Sequence, residues 1–266
     1  MGMTPPGDVL EQQPQDIAER AEDVGSERLD RTNAEILVTA IIGGGEVSLG
    51  GLAAMTVVGA VLKTVPGSDL YTGLALAGFV FPIGFLFVII GRSELFTENF
   101  LIPVVAVFKT ERTVGSLVFL WAVSWIGNMI GCAGTAVLLL MPNAIGDTIQ
   151  QGYSAYTDYK LGVPPVGVFV SALLAGGVMT TLTWSLLSVQ HTLSRMLVIC
   201  AAAYVLMAAN LSHSIVSASV LLVGFVATQH SMFEVVGWLL IATAGNLVGG
   251  VGLVTLFRLA QAHQQR

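Results

Sequence analysis

Charge is scarce in this sequence. Only 11% of its 266 residues are Asp, Glu, Lys or Arg, against about 25% in an ordinary soluble domain. Cysteine is scarcer still. Cys132 and Cys200 both sit inside apolar runs, so they read as small buried hydrophobes, and neither a disulfide framework nor metal-ligand spacing is present. The four histidines stand alone in the sequence, with no nucleophile and base beside them. An enzyme is therefore not expected, and neither a metal nor another cofactor. The formal charge of −6 belongs to one end. Residues 1–33 hold eight acids (Asp8, Glu11, Asp16, Glu19, Glu22, Asp23, Glu27 and Asp30) against Arg20, Arg28 and Arg31. An acidic tail on a nearly neutral body is the wrong footprint for nucleic acid. The polar, acidic start has no short apolar segment, so no signal peptide is expected.

What the sequence has in quantity is apolar length, 54% of its residues. A helix needs about 20 apolar residues to cross a bilayer, the true solvent for such runs. The runs fall at roughly 36–62, 71–108, 114–141, 164–189, 196–227 and 232–258. The expected fold class is thus an all-α integral membrane protein of six transmembrane helices, with a membrane domain over 35–258. The flanks are an acidic tail, 1–34, and a short tail, 259–266. Residues 1–15, rich in Pro, Gly and Gln, are expected to be disordered. From Asp16 to Asn33 the residues Ile17, Ala21, Val24 and Leu29 recur at helical spacing. They predict a short amphipathic helix on the membrane surface or on the protein, or else a solvated tail. Arg20, Arg28, Arg31, Lys109, Arg112, Arg195, Arg258 and Arg266 fall on one side of a six-span chain, and Lys63 and Lys160 on the other. That bias puts both termini in the cytoplasm of a cell inner (plasma) membrane.

Two of the runs are interrupted. The second carries Gly91-Arg92-Ser93-Glu94 and Thr97-Glu98-Asn99, and the fifth carries Asn210-Leu211-Ser212-His213-Ser214. Backbone that leaves the helix at membrane depth must be buried in protein or line a wet cavity. Two such breaks point to a transport pathway. The chain also repeats. Gly127-Asn128-Met129-Ile130-Gly131 with Gly134 matches Gly245-Asn246-Leu247-Val248-Gly249 with Gly252, at an offset of 118. Leu95-Phe96-Thr97 is set against Leu211-Ser212-His213 at an offset of 116, and Ala40 with Gly43, Gly44 and Gly45 against Ala172 with Ala175, Gly176 and Gly177. Two copies of a three-span unit insert with opposite topology, and inverted three-helix repeats place a solute site where the halves meet. The glycines have a plainer explanation in close helix packing. Asn128 and Asn246 suit a different task, hydrogen bonding to the broken backbone of a neighbouring span.

Leu95-Phe96-Thr97 in a broken second span, His213-Ser214-Ile215 in a broken fifth and Gly245-Asn246 with its following glycines in the sixth resemble the formate/nitrite transporter family over roughly residues 35–258. The resemblance implies an aquaporin-like fold, a homopentamer with one pore in each protomer, and passage of small monovalent anions such as formate, nitrite or hydrosulfide. It implies that Thr97 faces His213 at the pore centre, and it matches Lys160 to a family lysine. The chain departs from the pattern at Ser212, where family members carry an acid, at Ser217, where many carry Asn, and in the charged loop around Glu94. It resembles a divergent branch.

The candidate pathway residues are then His213, Thr97, Ser212, Ser214, Leu95, Phe96 and Ser217. In a soluble core a lone histidine is usually a satisfied polar group, but an ionisable residue inside a membrane marks function by default. Lys160 and Arg92 would attract anions. Asn128, Asn246, Glu94, Glu98 and Asn99 would support the broken helices, with Arg92, Glu94 and Glu98 paired among themselves to pin the loop, or Glu98 at a subunit contact. Glu46 has no assigned partner. His191, His230 and His263 read as solvated. The leading function is a channel or proton-coupled transporter of weak-acid anions, its partners being the anion, protons and membrane lipid. A channel for neutral solutes of the water, glycerol or ammonia type is the alternative, although the paired Asn-Pro-Ala motifs of aquaporins are missing.

Overall fold

The computed structural model describes residues 13–264, all of its regular structure helical. Most of the stretch expected to be disordered, 1–12, lies outside the described residues. The elements in chain order are α1 (Pro14–Leu29), α2 (Asn33–Thr64), α3 (Leu70–Ala77), α4 (Pro82–Gly91), a 3₁₀ turn (Phe96–Phe100), α5 (Ile102–Lys109), α6 (Val114–Leu139), α7 (Asp147–Gly162), α8 (Pro165–Ser188), α9 (Thr192–Ala208), α10 (Ser214–Gly224), a 3₁₀ turn (Phe225–Ala227), α11 (Met232–Leu247), a π-helical segment (Val248–Thr255) and α12 (Leu256–Gln264).

Five helical stretches among the described residues are long and apolar enough to cross a membrane: Asn33–Thr64, Leu70–Gly91, Val114–Leu139, Pro165–Ser188 and Met232–Gln264. The run expected as a fifth span is divided into two shorter apolar helices, Thr192–Ala208 and Ser214–Ala227. Phe79, Val166 and Phe233 are open on the outer surface. Water penalises side chains of that size and lipid does not, so this is a membrane protein.

Helix starts follow local chemistry. Thr32 with Glu35, and Ser231 with Glu234, form reciprocal capping boxes at the heads of α2 and α11, each satisfying two amides that the first turn leaves open. The tight contacts are made where side chains vanish. A Cβ on Gly44 of α2 would run into the Asn128 carbonyl of α6, and one on Gly176 of α8 into the Asn246 carbonyl of α11. The small-residue motifs thus seat α2 on α6 and α8 on α11 at backbone distance, and each asparagine is placed at the crossing.

The amphipathic segment is a helix docked on the protein. Ile17, Ala18 and Ala21 of α1 are buried with Leu101, Ile102, Val105, Trp184 and Ala262. Gly25 extends that face, since a Cβ there would meet the Ile102 carbonyl. Val24, read as part of the apolar stripe, is 37% exposed. Small residues set the docking face because α1 crosses α5 too closely for a larger one. Lys109 pairs with Glu22 at 3.4 Å, and Arg112 with Asp30, so the far end of α5 is tied to α1 as well. The last helix runs on through the region read as a tail, and Leu259 and Ala262 pack beneath α1.

Candidate functional site

Two interruptions of helix meet inside the molecule. The first lies between α4 and α5. α4 stops at Gly91, and Arg92 turns into the left-handed region at φ 59°. The second lies between α9 and α10, where Asn210 makes the same turn at φ 51°. A left-handed residue after a helix is an ordinary stop signal. It leaves the next few backbone groups without helical partners, and at membrane depth no water replaces them.

The two asparagines of the repeat supply those partners in the same pattern. Asn128 Oδ1 accepts from the Phe96 amide at 2.9 Å, and its Nδ2 donates to the carbonyls of Ala40 at 2.8 Å and Glu94 at 2.9 Å. Asn246 Oδ1 accepts from the Ser214 amide at 2.8 Å, and its Nδ2 donates to the carbonyls of Ala172 and Ser212, both at 2.9 Å. Both side chains are fully buried. This pattern corrects the register of the two loops. Glu94 corresponds to Ser212 and Phe96 to Ser214, an offset of 118 that agrees with the glycine–asparagine motifs, where matching by residue likeness gives 116. Hydrogen-bond demand sets the correspondence, and side-chain likeness does not.

Between the interruptions Thr97 Oγ1 and His213 Nε2 lie 2.8 Å apart, both buried. His213 is also the N-cap of α10, its Nδ1 accepting from the Val216 amide at 3.1 Å. Because Nδ1 accepts, the ring proton of the neutral imidazole resides on Nε2 and is donated to Thr97. The Thr97 hydroxyl proton is then not used by His213. The Phe85 ring meets the imidazole edge to face at 6.0 Å between centroids, an apolar wall beside a polar pair. Leu95 and Phe96, which precede Thr97, are buried, and the Phe96 ring meets that of Phe100. The Ser212 amide donates to Ser171 Oγ at 2.9 Å, Ser217 Oγ lies 3.1 Å from the Tyr156 hydroxyl, and the buried Ser214 Oγ has no partner among the described residues.

Lys160 sits on α7, a helix too short and polar to span. It is buried, and its Nζ donates to the carbonyls of Asn210 at 2.7 Å and Leu211 at 3.2 Å while lying over the rings of Tyr156 and Trp238. No carboxylate pairs with it among the described residues, and burial pushes its ammonium down to about 7.

The charged loop differs from expectation. Glu94 does not pair with Arg92. It is buried and pairs with Arg31 of the α1–α2 turn at 2.9 Å and Arg28 of α1 at 3.5 Å, and it accepts from Asn99 Nδ2 at 2.6 Å. Arg28 also donates to Asn99 Oδ1 at 2.7 Å. Arg92 points out from its left-handed turn, exposed and without a partner among the described residues, and Glu98 buries an unpartnered Oε1. The cause is that α1 lies over the interruption and reaches Glu94 first. Arg28 and Arg31 are the site residues that sequence reasoning missed; their signal was a pair of arginines ending an otherwise acidic helix. Glu46 retains a buried, unpartnered Oε2. His230 is not fully solvated, lying 3.2 Å from Glu234 and 3.6 Å from Asp158.

Breaking a buried ion pair from one side costs about 3–5 kcal/mol, and the more exposed Arg31 adds less than about 1 kcal/mol after screening. Glu94→Gln is therefore expected to loosen α1. Limited trypsin digestion should cut after Arg20, Arg28 and Arg31 faster than in the parent. An unchanged digestion rate would show that the Glu94 pairs do not hold α1, leaving its apolar face and its ion pairs to Lys109 and Arg112 to do so.

Residues 15–260 match the family model described as Formate/nitrite transporter. The chain is 28% identical to "Inner membrane protein YfdC" of Escherichia coli over 92% of its own length and 77% of that protein's. It is 25% identical to "Uncharacterized transporter YrhG" of Bacillus subtilis over 95% and 94%. Among solved structures it is similar to an "FNT family ion channel", with a TM-score of 0.76 at 19% identity, covering 93% of this chain and 97% of that one. It is also similar to a "Pentameric formate channel with formate bound", with a TM-score of 0.70 at 17% identity over 86% and 96%. With this fold, and a family match that spans nearly all of it, the chain belongs to the formate/nitrite transporter family.

Proposed function

We propose that this protein passes small monovalent anions of weak acids, of the formate, nitrite or hydrosulfide type, between Thr97 and His213. The observation that carries the reading is the 2.8 Å contact of these two side chains, one from each interruption, at a buried point walled by Phe85. The six runs are read as six spans in two inverted repeats, with the interruptions as breaks in the second and fifth. Residues 35–258 form the channel, and both termini are cytoplasmic. Five protomers assemble around an axis, each with its own pathway; the formate channel of similar fold is itself pentameric.

The chemistry follows from desolvation. A bare anion loses several kcal/mol of hydration on entering an apolar constriction, and a neutral acid much less. Lys160 on one side of the pair and Arg92 on the other raise the local anion concentration. As the anion leaves water its own charged form is disfavoured and it takes a proton. Inside, the Thr97 hydroxyl, with its oxygen occupied by His213 Nε2–H, donates to the solute. The net event is cotransport of anion and proton.

Liposome uptake with luminal pH recorded alongside tests this. Formate should enter and acidify the lumen beyond protein-free vesicles, and nitrate or chloride should not follow it. Equal chloride and formate flux without proton movement would leave a simple anion channel. Because the Lys160 ammonium is charged below about 7 and neutral above it, its attraction is present at acid pH and is lost as pH rises through that value. Lys160→Gln should lower uptake at about pH 6 and leave uptake at about pH 8 near the parent's. Topology is checked by single cysteines. Those near Lys63 and Lys160 should react with an impermeant reagent from outside, and one near Arg112 should not.

A further inference from the structure

We infer that Glu98 is the proton-exchange group at the α1 end of the pathway, an inference that rests on the proton-coupled reading above and adds to it the base that takes the proton on that side. Glu98 follows Thr97 in the 3₁₀ turn between the two helices. It lines a cavity of about 440 Å³ bounded by the end of α1, the first interruption and the facing ends of α8 and α9. Its Oε1 is buried and has no hydrogen-bond partner among the described residues. Buried polar atoms are rarely left so. Arg28, which lines the same cavity, gives its Nη1 to Glu94 and Asn99 and leaves its Nε buried without a partner among the described residues, so neither it nor Glu98 Oε1 completes a bond to the other.

The central histidine is poorly suited to this task. His213 Nδ1 caps α10 and Nε2 faces Thr97, so a second ring proton would displace the capping bond. A neutral acid that crosses the constriction gives up its proton on the far side, and Glu98 is the carboxylate placed to take it ahead of water. The charged groups that face Glu98 in the cavity are Glu27, Arg28 and Arg31 from α1 and its turn, Arg92 and Glu94 from the interruption, and Arg195 from α9; α8 presents Thr183 and α5 presents Ile102. The step balances simply. The O–H bond of the neutral acid breaks and its electron pair stays on the anion. The proton bonds to a Glu98 carboxylate oxygen, and the resulting carboxyl then releases it to water in the cavity. The anion is left among four guanidinium groups, which stabilise its charge and keep it from recapturing the proton. In the opposite direction the same carboxyl donates.

The test is formate uptake with luminal pH recorded between about pH 5 and 8, using parent, Glu98→Gln and Glu98→Asp in vesicles, with assembly checked by gel filtration. Glu98→Gln keeps size and hydrogen-bonding capacity but cannot exchange a proton. It should assemble and lose coupled uptake by about 100-fold, the lower range of a general acid–base contribution, with the pH dependence flattened. Glu98→Asp should restore most of the rate with a displaced midpoint. A Glu98→Gln protein with the parent's rate and pH profile overturns the inference, and so does one slowed equally at every pH. Should Glu98→Gln fail to assemble, an unshifted midpoint in Glu98→Asp overturns it. Parent protein that carries formate without moving protons would instead overturn the proton-coupled reading itself, an outcome separable from the others because it needs no variant.

Discussion

His213→Phe should assemble like the parent and pass almost no formate. The phenyl ring matches the imidazole in breadth and would stack on Phe85 without opening a cavity. It removes two things. The cap of α10 loses its side-chain acceptor, which costs about 1 kcal/mol, a tolerable loss for a helix otherwise buried on nearly every face. The Thr97 oxygen loses the donor that His213 supplies, so the hydroxyl no longer has its orientation set, and a second apolar ring stands beside Phe85 where the imidazole was. A hydrogen bond to a charged or polarised solute contributes about 1.5–3 kcal/mol, and with the pair broken an unoriented Thr97 hydroxyl offsets little of the desolvation cost. Flux should fall by about 100-fold or more, each 1.4 kcal/mol being about tenfold. The measurement is formate uptake in vesicles beside gel filtration. Normal uptake by a correctly assembled variant would take His213 off the pathway and leave it as a helix cap.

Asn128→Leu and Asn246→Leu should each abolish assembly, and by similar amounts. Leucine keeps the side-chain heavy-atom count and the branch at Cγ but is larger, so the main loss is of hydrogen bonds, with some overpacking added. Each change strands one amide and two carbonyls in the same pattern: Phe96 with Ala40 and Glu94 in one half, Ser214 with Ala172 and Ser212 in the other. An unsatisfied buried group costs about 1–3 kcal/mol, so three together approach the whole stability of an ordinary domain, about 5–15 kcal/mol. The readout is the temperature at which the assembled particle is lost in detergent. A tolerant Asn128→Leu beside an intolerant Asn246→Leu would break the equivalence of the two halves.

The Glu94 site shows how far sequence reasoning reaches. An acid inside an apolar run must have a partner, and local charges offered Arg92. The actual partners, Arg28 and Arg31, are more than sixty residues away in sequence. A left-handed cap turns Arg92 outward, and the docking of α1 delivers the other two. Local charge proximity is a poor guide where backbone direction reverses within one residue.

That the chain lives in lipid, where its long apolar runs lie, where two of them are interrupted and which asparagines serve those interruptions can be read from the residues in order, whereas α7, which carries Lys160, is not among the expected helices. The former are each imposed position by position, because hydrocarbon penalises every unpaired polar group wherever it stands. Thr97 and His213 were legible too, through a resemblance of motifs. Pairing at a distance needed the folded molecule: which arginines neutralise Glu94, that Lys160 is buried against carbonyls, that Glu98 Oε1 has no partner among the described residues, and which residue of one loop corresponds to which of the other. These depend on where α1 and α7 pack and on the turn taken after Gly91 and Ala209. Small residues such as Ala18, Ala21 and Gly25 can hold a helix against another wherever the backbones approach closely, so their pattern in the chain does not name the surface they meet.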